Sequence, residues 1–264
     1  MKCHKYWVRE TREIHVYGKR QTVTLIVGSD ISKEDAARNV EATARGLEKR
    51  ISTPRDKRET YETDIKEHVV RELDDKNIIT VNRYGAWVLN TTAYTILDID
   101  HCPFEWMDLF RKSPGTQKDK MVSRFKRRIS RYPELGDTFR IYETFQGIRI
   151  IGKTYYDPQE RHSRAIMRRL NVDALYVLLS RKQNCYRARL TPKPFRMKAA
   201  TIRIKTPLDC ETETYASWQR QYEEASQRFS VVRLRETIGN DFGHDPAIAF
   251  HDQTTRMDNN KPLA

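Results

Sequence analysis

The chain has 264 residues, 38% of them apolar and 32% charged, with a net charge of +13 at pH 7. That length can bury a sizeable core, and a 10% aromatic content sets the chain apart from disordered sequences of similar charge. The basic excess favours polyanionic partners over acidic ones, although a solvated basic surface has the same composition.

From the N-terminus, "KYWVRETREIHVYGKRQTVTLIVGSD" reads as a hairpin of aromatic and β-branched strands turning at Gly18-Lys19-Arg20. A helix follows, with Ser32 as N-cap, Asp35 three residues on, and Ala36, Val40, Ala44, Leu47 and Ile51 on one face. Residues 1–52 thus form a hairpin plus helix packed on the core. Residues 53–68 are a charged linker, 69–251 an α+β core and 252–264 a polar tail. In the core, "NIITVNRYGAWVLNTTAYTILDID" gives short neighbouring strands. Phe104 to Lys112 and Lys118 to Tyr132 read as helices, and "TFRIYETFQGIRIIGKT" as a hairpin around Gly147. Helices are predicted from about Pro158 to Leu170, around Ala174 to Ser180 and over 215–228. Strands are predicted in "CYRARLTPKPFRMKAATIRIK" and "FSVVRLRETI". Hairpins dominate and no regular βαβ alternation occurs, so the fold class is α+β with a central, largely antiparallel sheet flanked by helices.

Cys3, Cys102, Cys185 and Cys210 are far apart and match neither a zinc ribbon nor a disulfide framework. No apolar run approaches the roughly 18 residues of a membrane span, and "MKCHKYWVRE" lacks a signal-peptide apolar segment. The expectation is a soluble cytoplasmic protein with free thiols. Phosphate-loop, dinucleotide-fingerprint and serine-elbow motifs do not occur.

Two features carry chemistry. The apolar strand "YTILDID" ends in Asp98 and Asp100. Carboxylates at i and i+2 share one sheet face, roughly 7 Å apart, a separation that Mg²⁺ or Mn²⁺ bridges or shares with substrate phosphates. A strand that simply exits into a polar turn carries the same residues. Further on, Arg181 to Lys205 holds nine Lys or Arg residues and no acid. There Arg187 and Arg189 share one strand face, with Tyr186, Ala188 and Leu190 on the other. The loop "TPKPF" stiffens Lys193 between two prolines, and Tyr186 and Phe195 are possible stacking surfaces for bases. A solvated strand face remains the alternative. Lys120, Arg124, Arg127, Arg128 and Arg131 make the helix after Lys118 a candidate surface for nucleic-acid backbone. His244 and His251 lack metal-site spacing and read as capping or packing residues.

The strand ending in "LDID", two helices and then "YETFQGIRII" resemble, in order and spacing, the archaeo-eukaryotic primase (primase-polymerase) superfamily. Glu143-Thr144 and Gly147 match its hairpin, while Arg149 stands where the family pattern carries a nucleotide-binding histidine. The resemblance spans roughly Ile78 to Lys153. It implies a primase-like core acting in DNA replication or repair, with Asp98 and Asp100 as catalytic metal ligands and Glu236 as a weak candidate for the third acid. Arg149, Arg187, Arg189 and Lys193 would then hold a nucleoside triphosphate or template phosphates, and DNA or RNA would be the partner. The Arg149 departure leaves open a non-catalytic nucleic-acid-binding protein on the same fold. The DxD motif also resembles haloacid-dehalogenase-like phosphatases, with Asp98 as nucleophile, Asp100 as acid/base and Asp241 and Asp245 as a late acidic pair. That family continues with Gly-Thr where this chain has His101-Cys102, and it needs a parallel sheet. "RYGAWVLNT", "CYRARLTPKP" and "HDQTTR" are similar to stretches of bacterial proteins without an assigned function.

Overall fold

The structure, a computed structural model, describes residues 1–53, 64–103 and 115–264. The helix expected over Phe104 to Lys112 and most of the expected linker lie outside the described residues.

Strands β1 (Tyr6–Val16) and β2 (Lys19–Ser29) form the first hairpin. Its turn is Tyr17-Gly18, with φ of 51° and 75°, so the reversal comes slightly earlier than the sequence suggests and Lys19 already pairs with Val16. Ser32 caps the next helix by accepting from the Asp35 backbone N–H, as predicted. The helix is interrupted at Asn39 into α1 (Lys33–Arg38) and α2 (Val40–Ser52). Val40 and Ala44 nevertheless meet Ile14, Val16, Leu25 and Val27 in a small core of their own. Each fully buried aliphatic side chain there contributes about 1.5–3 kcal/mol. Polar contacts tie this unit to the rest, among them Lys5–Glu72 at 2.6 Å and Lys33–Glu211 at 3.0 Å.

Two four-stranded sheets build the remainder. One runs β3 (His68–Asp74), β4 (Asn77–Val81), β5 (Trp87–Thr91) and, last, β9 (Tyr186–Arg189). The other runs β10 (Val232–Ile238), β7 (Phe139–Thr144), β8 (Ile148–Gly152) and β6 (Thr95–Ile99). Every pairing between these strands is antiparallel, which establishes the α+β class and, among the described residues, leaves no parallel sheet for a haloacid-dehalogenase-like arrangement. Both sheets feed one main core, in which Ile79, Leu89 and Ala188 meet Ile96, Leu97 and Ile150.

Helix α3 (Gln117–Ile129) starts at a capping box between Thr116 and Asp119 and packs Met121 and Phe125 into that core. α4 (Ser163–Arg169) is shorter than predicted, because residues 158–162 form turns. α5 (Ala174–Gln183) precedes β9, and α6 (Glu213–Ser226) packs Tyr215, Trp218 and Tyr222 against Met197 and Ile204. The segment 190–205 is irregular rather than strand, with a 3-10 turn over Pro194–Met197. The largest departure is at the C-terminal end. Helix α7 (Pro246–Thr255) carries a buried His251 and Asp252, and Ala264 is buried beside Ser230, so 252–264 is packed rather than a tail. Asp252 pairs with the buried Arg140 at 2.7 Å, which a polarity reading of the sequence cannot anticipate. Among the described residues no helix is long and apolar enough to cross a membrane.

Candidate functional site: a cationic cleft between two sheet edges

Strand β6 ends one sheet and β9 ends the other, the two edges lie side by side, and the start of α5 bonds to both. The Asp173 backbone N–H donates to the Asp98 carbonyl at 3.2 Å, covering the β6 edge at the start of α5. Tyr176, one turn further, donates its hydroxyl to the Arg187 carbonyl at 3.2 Å and accepts from the Arg187 N–H at 3.3 Å, covering the β9 edge. A cleft of about 720 Å³ opens beside these edges. Asp98, Asp100, Arg149, Arg187, Arg189 and Lys193 all line it, although they come from three strands and two loops. Arg196 joins them; in the sequence it is one cation in a basic run with nothing to single it out.

Strand register dictates which groups meet. Asp98 pairs with Arg149 across β6 and β8, and Arg149 with Tyr142 across β8 and β7. Arg149 is buried and grips the Asp98 carboxylate with both arms, Nε to Oδ1 at 2.9 Å and Nη2 to Oδ2 at 3.4 Å. Its Nη1 donates to the Arg189 carbonyl at 2.9 Å. Burial works to lower the Arg149 pKa, and Asp98 outweighs it, so the guanidinium stays charged. Gly147 explains why the hairpin glycine matters. A Cβ there would lie 2.0 Å from the Ile99 carbonyl oxygen and 2.8 Å from the Asp100 Cα, so only glycine lets the β7–β8 turn close against the acidic strand end.

Among the described residues, Asp100 has no cation in hydrogen-bonding contact. Burial first, then Asp98 and Asp173, push its carboxyl above the ordinary range, partly offset by Lys193 and Arg196. On β9 the predicted alternation holds, with Tyr186, Ala188 and Leu190 buried and Arg187 and Arg189 turned into the cleft. Arg187 is paired with Glu67, whose charge outweighs the effect of burial on the guanidinium. Arg189 donates to main-chain oxygens, those of Thr191 at 2.9 Å and Ala264 at 3.2 Å. Burial, reinforced by Arg149 and Arg196, pushes its pKa down to about 10. Lys193 and Arg196 are lowered too, each chiefly by burial, and Lys193 also by Arg189 and Arg196. Arg196 stacks on Phe145 at 4.3 Å and donates to Gln146 at 2.9 Å, while Lys193 lies 5.7 Å from the Phe195 ring. Phe145 and Phe195 are 49% and 61% exposed, so both rings face the solvent beside Arg196 and Lys193, next to the cleft rather than lining it. Tyr186, the other suggested stacking surface, is instead core, and its hydroxyl donates to the Tyr156 carbonyl.

Glu236 is not part of this site. It lies at the far edge of its sheet, three strands from Asp98 or roughly 14 Å at ordinary strand spacing. A bulge after Leu234 puts Glu236 opposite Ile141, and so on the face of Ile150 and Leu97 rather than that of Asp98. There it pairs with Lys126 of α3 at 2.9 Å. Helix α3 covers this same opposite face, with Phe125 edge-on to Phe139. The basic helix and the cleft therefore do not form one surface. Lys120, Arg127 and Arg131 are exposed, as a backbone-tracking surface requires. Arg124 is buried and donates to the Pro103 carbonyl at 2.6 Å, and Arg128 donates to the Arg169 carbonyl, so these two serve the fold.

Mg²⁺ or Mn²⁺ fits this arrangement poorly. Both Asp98 oxygens are engaged by Arg149, and among the described residues no group of three or more His, Cys, Asp or Glu side chains is arranged to hold a metal ion. What the cleft does offer is three crowded cations beside exposed aromatic rings. Comparison with protein-family models, with curated proteins and with solved structures finds no match to this chain.

Proposed function

We propose that the protein binds a phosphate ligand of nucleotide chemistry, a nucleic acid or a nucleoside triphosphate, in the cleft between β6 and β9, and that it holds this ligand by charge and stacking rather than through a metal-centred nucleotidyl transfer. This is the non-catalytic branch of the primase-like expectation. One observation carries it: Arg189, Lys193 and Arg196 crowd together in the cleft and, among the described residues, none of them is ion-paired with an Asp or Glu side chain, all with lowered pKa values, while Asp98 is already neutralised by Arg149. Asp100 is their nearest unpaired counter-charge; three cations beside one carboxylate still repel one another, and an added anion relieves that repulsion. Planar guanidinium groups suit phosphate oxygens, and the rings of Phe145 and Phe195 suit base faces. None of Cys3, Cys102, Cys185 and Cys210 is in a disulfide, which is compatible with a reducing, cytoplasmic setting.

Calorimetric titration of ATP and of a short oligonucleotide tests the reading, run in EDTA and again with Mn²⁺. Binding in EDTA that weakens at least tenfold in Lys193→Ala/Arg196→Ala is the expected result. Binding that needs Mn²⁺ together with Asp98 and Asp100 would overturn it in favour of the catalytic branch.

A further inference from the structure

A second recess of about 630 Å³ adjoins the cleft and shares Glu67, Arg83, Tyr84 and Gln183 with it, so the two form one continuous trough. Its far wall is the extended segment 202–205. The Ile204 N–H donates to the Arg83 carbonyl at 2.9 Å and the Ile204 side chain is buried. The period-2 alternation of extended chain then turns Arg203 and Lys205 outward, and both are exposed. The Lys205 backbone N–H is held by Asp209 at 2.7 Å, which fixes the segment while leaving the ammonium free. Among the described residues Arg83, Arg203 and Lys205 have no ion-pair partner. Glu67, the one acid among the described residues lining this recess, is spent on Arg187 and on the Thr80 hydroxyl.

We propose that this trough is a binding track for a single strand of nucleic acid, with Arg189, Lys193 and Arg196 holding phosphates at one end, Arg203 and Lys205 holding phosphates at the other, and Tyr84 between them as a stacking surface. The proposal rests on the reading of the cleft as a phosphate site and extends it to residues beyond the cleft. The phosphates of a mononucleotide are contiguous and suit one cation cluster; a strand repeats its phosphates and offers them to both. A strand also supplies bases to the exposed Phe145 and Phe195 rings, which an acidic peptide does not. A duplex is too stiff to follow the trough down to the recessed Arg189.

Fluorescence anisotropy with labelled oligothymidylate and oligouridylate, from about 2 to about 16 nucleotides long, decides it. The titrations are run in EDTA at several salt concentrations. Affinity is expected to rise with length beyond the dinucleotide and level off at about 4 nucleotides or more. Arg203→Ala/Lys205→Ala, both exposed and unpaired, should keep the wild-type melting temperature. It should lose about tenfold in affinity for the long strand, lower the salt slope by about 1.4, and bind the dinucleotide as wild type does. Equal affinity for short and long strands would overturn the track while leaving the cleft as a nucleotide site. No binding of any length would overturn both readings. Equal competition by polyglutamate or by duplex of the same length would also refute it, pointing to an acidic protein surface or to general polyanion attraction. The deoxy and ribo series tell DNA from RNA.

Discussion

Replacing Asp98 with asparagine separates an ion-pair role for this residue from a metal-ligand role by the sign of the stability change. A metal site kept empty holds two repelling carboxylates, so removing one would stabilise the protein. In this structure Asp98 instead neutralises a guanidinium whose side chain is 4% exposed, and its own side chain is 25% exposed. Removing one partner of a buried pair costs about 3–5 kcal/mol, because the other charge is left in a poor solvent. The lower end, about 3 kcal/mol, applies here, since Asp98 keeps some hydration and Arg149 keeps its bond to the Arg189 carbonyl. Relief at Asp100 offsets a further part. For a chain of this size about 3 kcal/mol lowers Tm by roughly 6–12 °C, which thermal unfolding followed by circular dichroism at pH 7 resolves easily. The double change Asp98→Leu/Arg149→Met should recover most of the loss, because an apolar pair of similar volume replaces a buried ion pair at little cost. A Tm equal to or above wild type in Asp98→Asn would refute the assignment of Asp98 to Arg149.

Asp100→Asn should act in the opposite direction. Its folded-state pKa is raised, so the folded chain holds the proton more tightly than the unfolded one, and stability is lost as pH climbs from the ordinary aspartate range, about 3.9, through the folded value. The variant should therefore melt higher than wild type at pH 7 and alike at about pH 3; equal melting at both would sink the argument. Lys193→Met should likewise raise Tm, since a lowered folded-state pKa means the charge costs stability at every pH below it, and it should cost about tenfold in ATP affinity. Unchanged affinity would remove Lys193 from the site. Glu236→Gln should cost under about 1 kcal/mol, as its pair with Lys126 is half-exposed, and leave nucleotide binding intact; a binding defect would return Glu236 to the site.

By itself the sequence determined what is local. The β1–β2 and β7–β8 hairpins, the Ser32 cap, the shared face of Asp98 and Asp100 and the split of Arg187 and Arg189 from Tyr186, Ala188 and Leu190 all follow from turn chemistry and the period of the backbone. Six residues chosen from the sequence do line one cleft. Which of their charges are free is decided only by the tertiary structure, because an ion pair depends on strand register between distant segments. Arg149 finds Asp98 across 51 positions and Arg187 finds Glu67 across 120, and neither separation leaves a mark on local pattern. The same reason hid α7, whose buried Asp252 is intelligible only beside Arg140. It also explains Glu236, where one bulge in β10 turns a carboxylate toward α3 and away from the cleft. Burial and pairing, not residue type, divide the cations that hold the fold together from those left to meet a ligand.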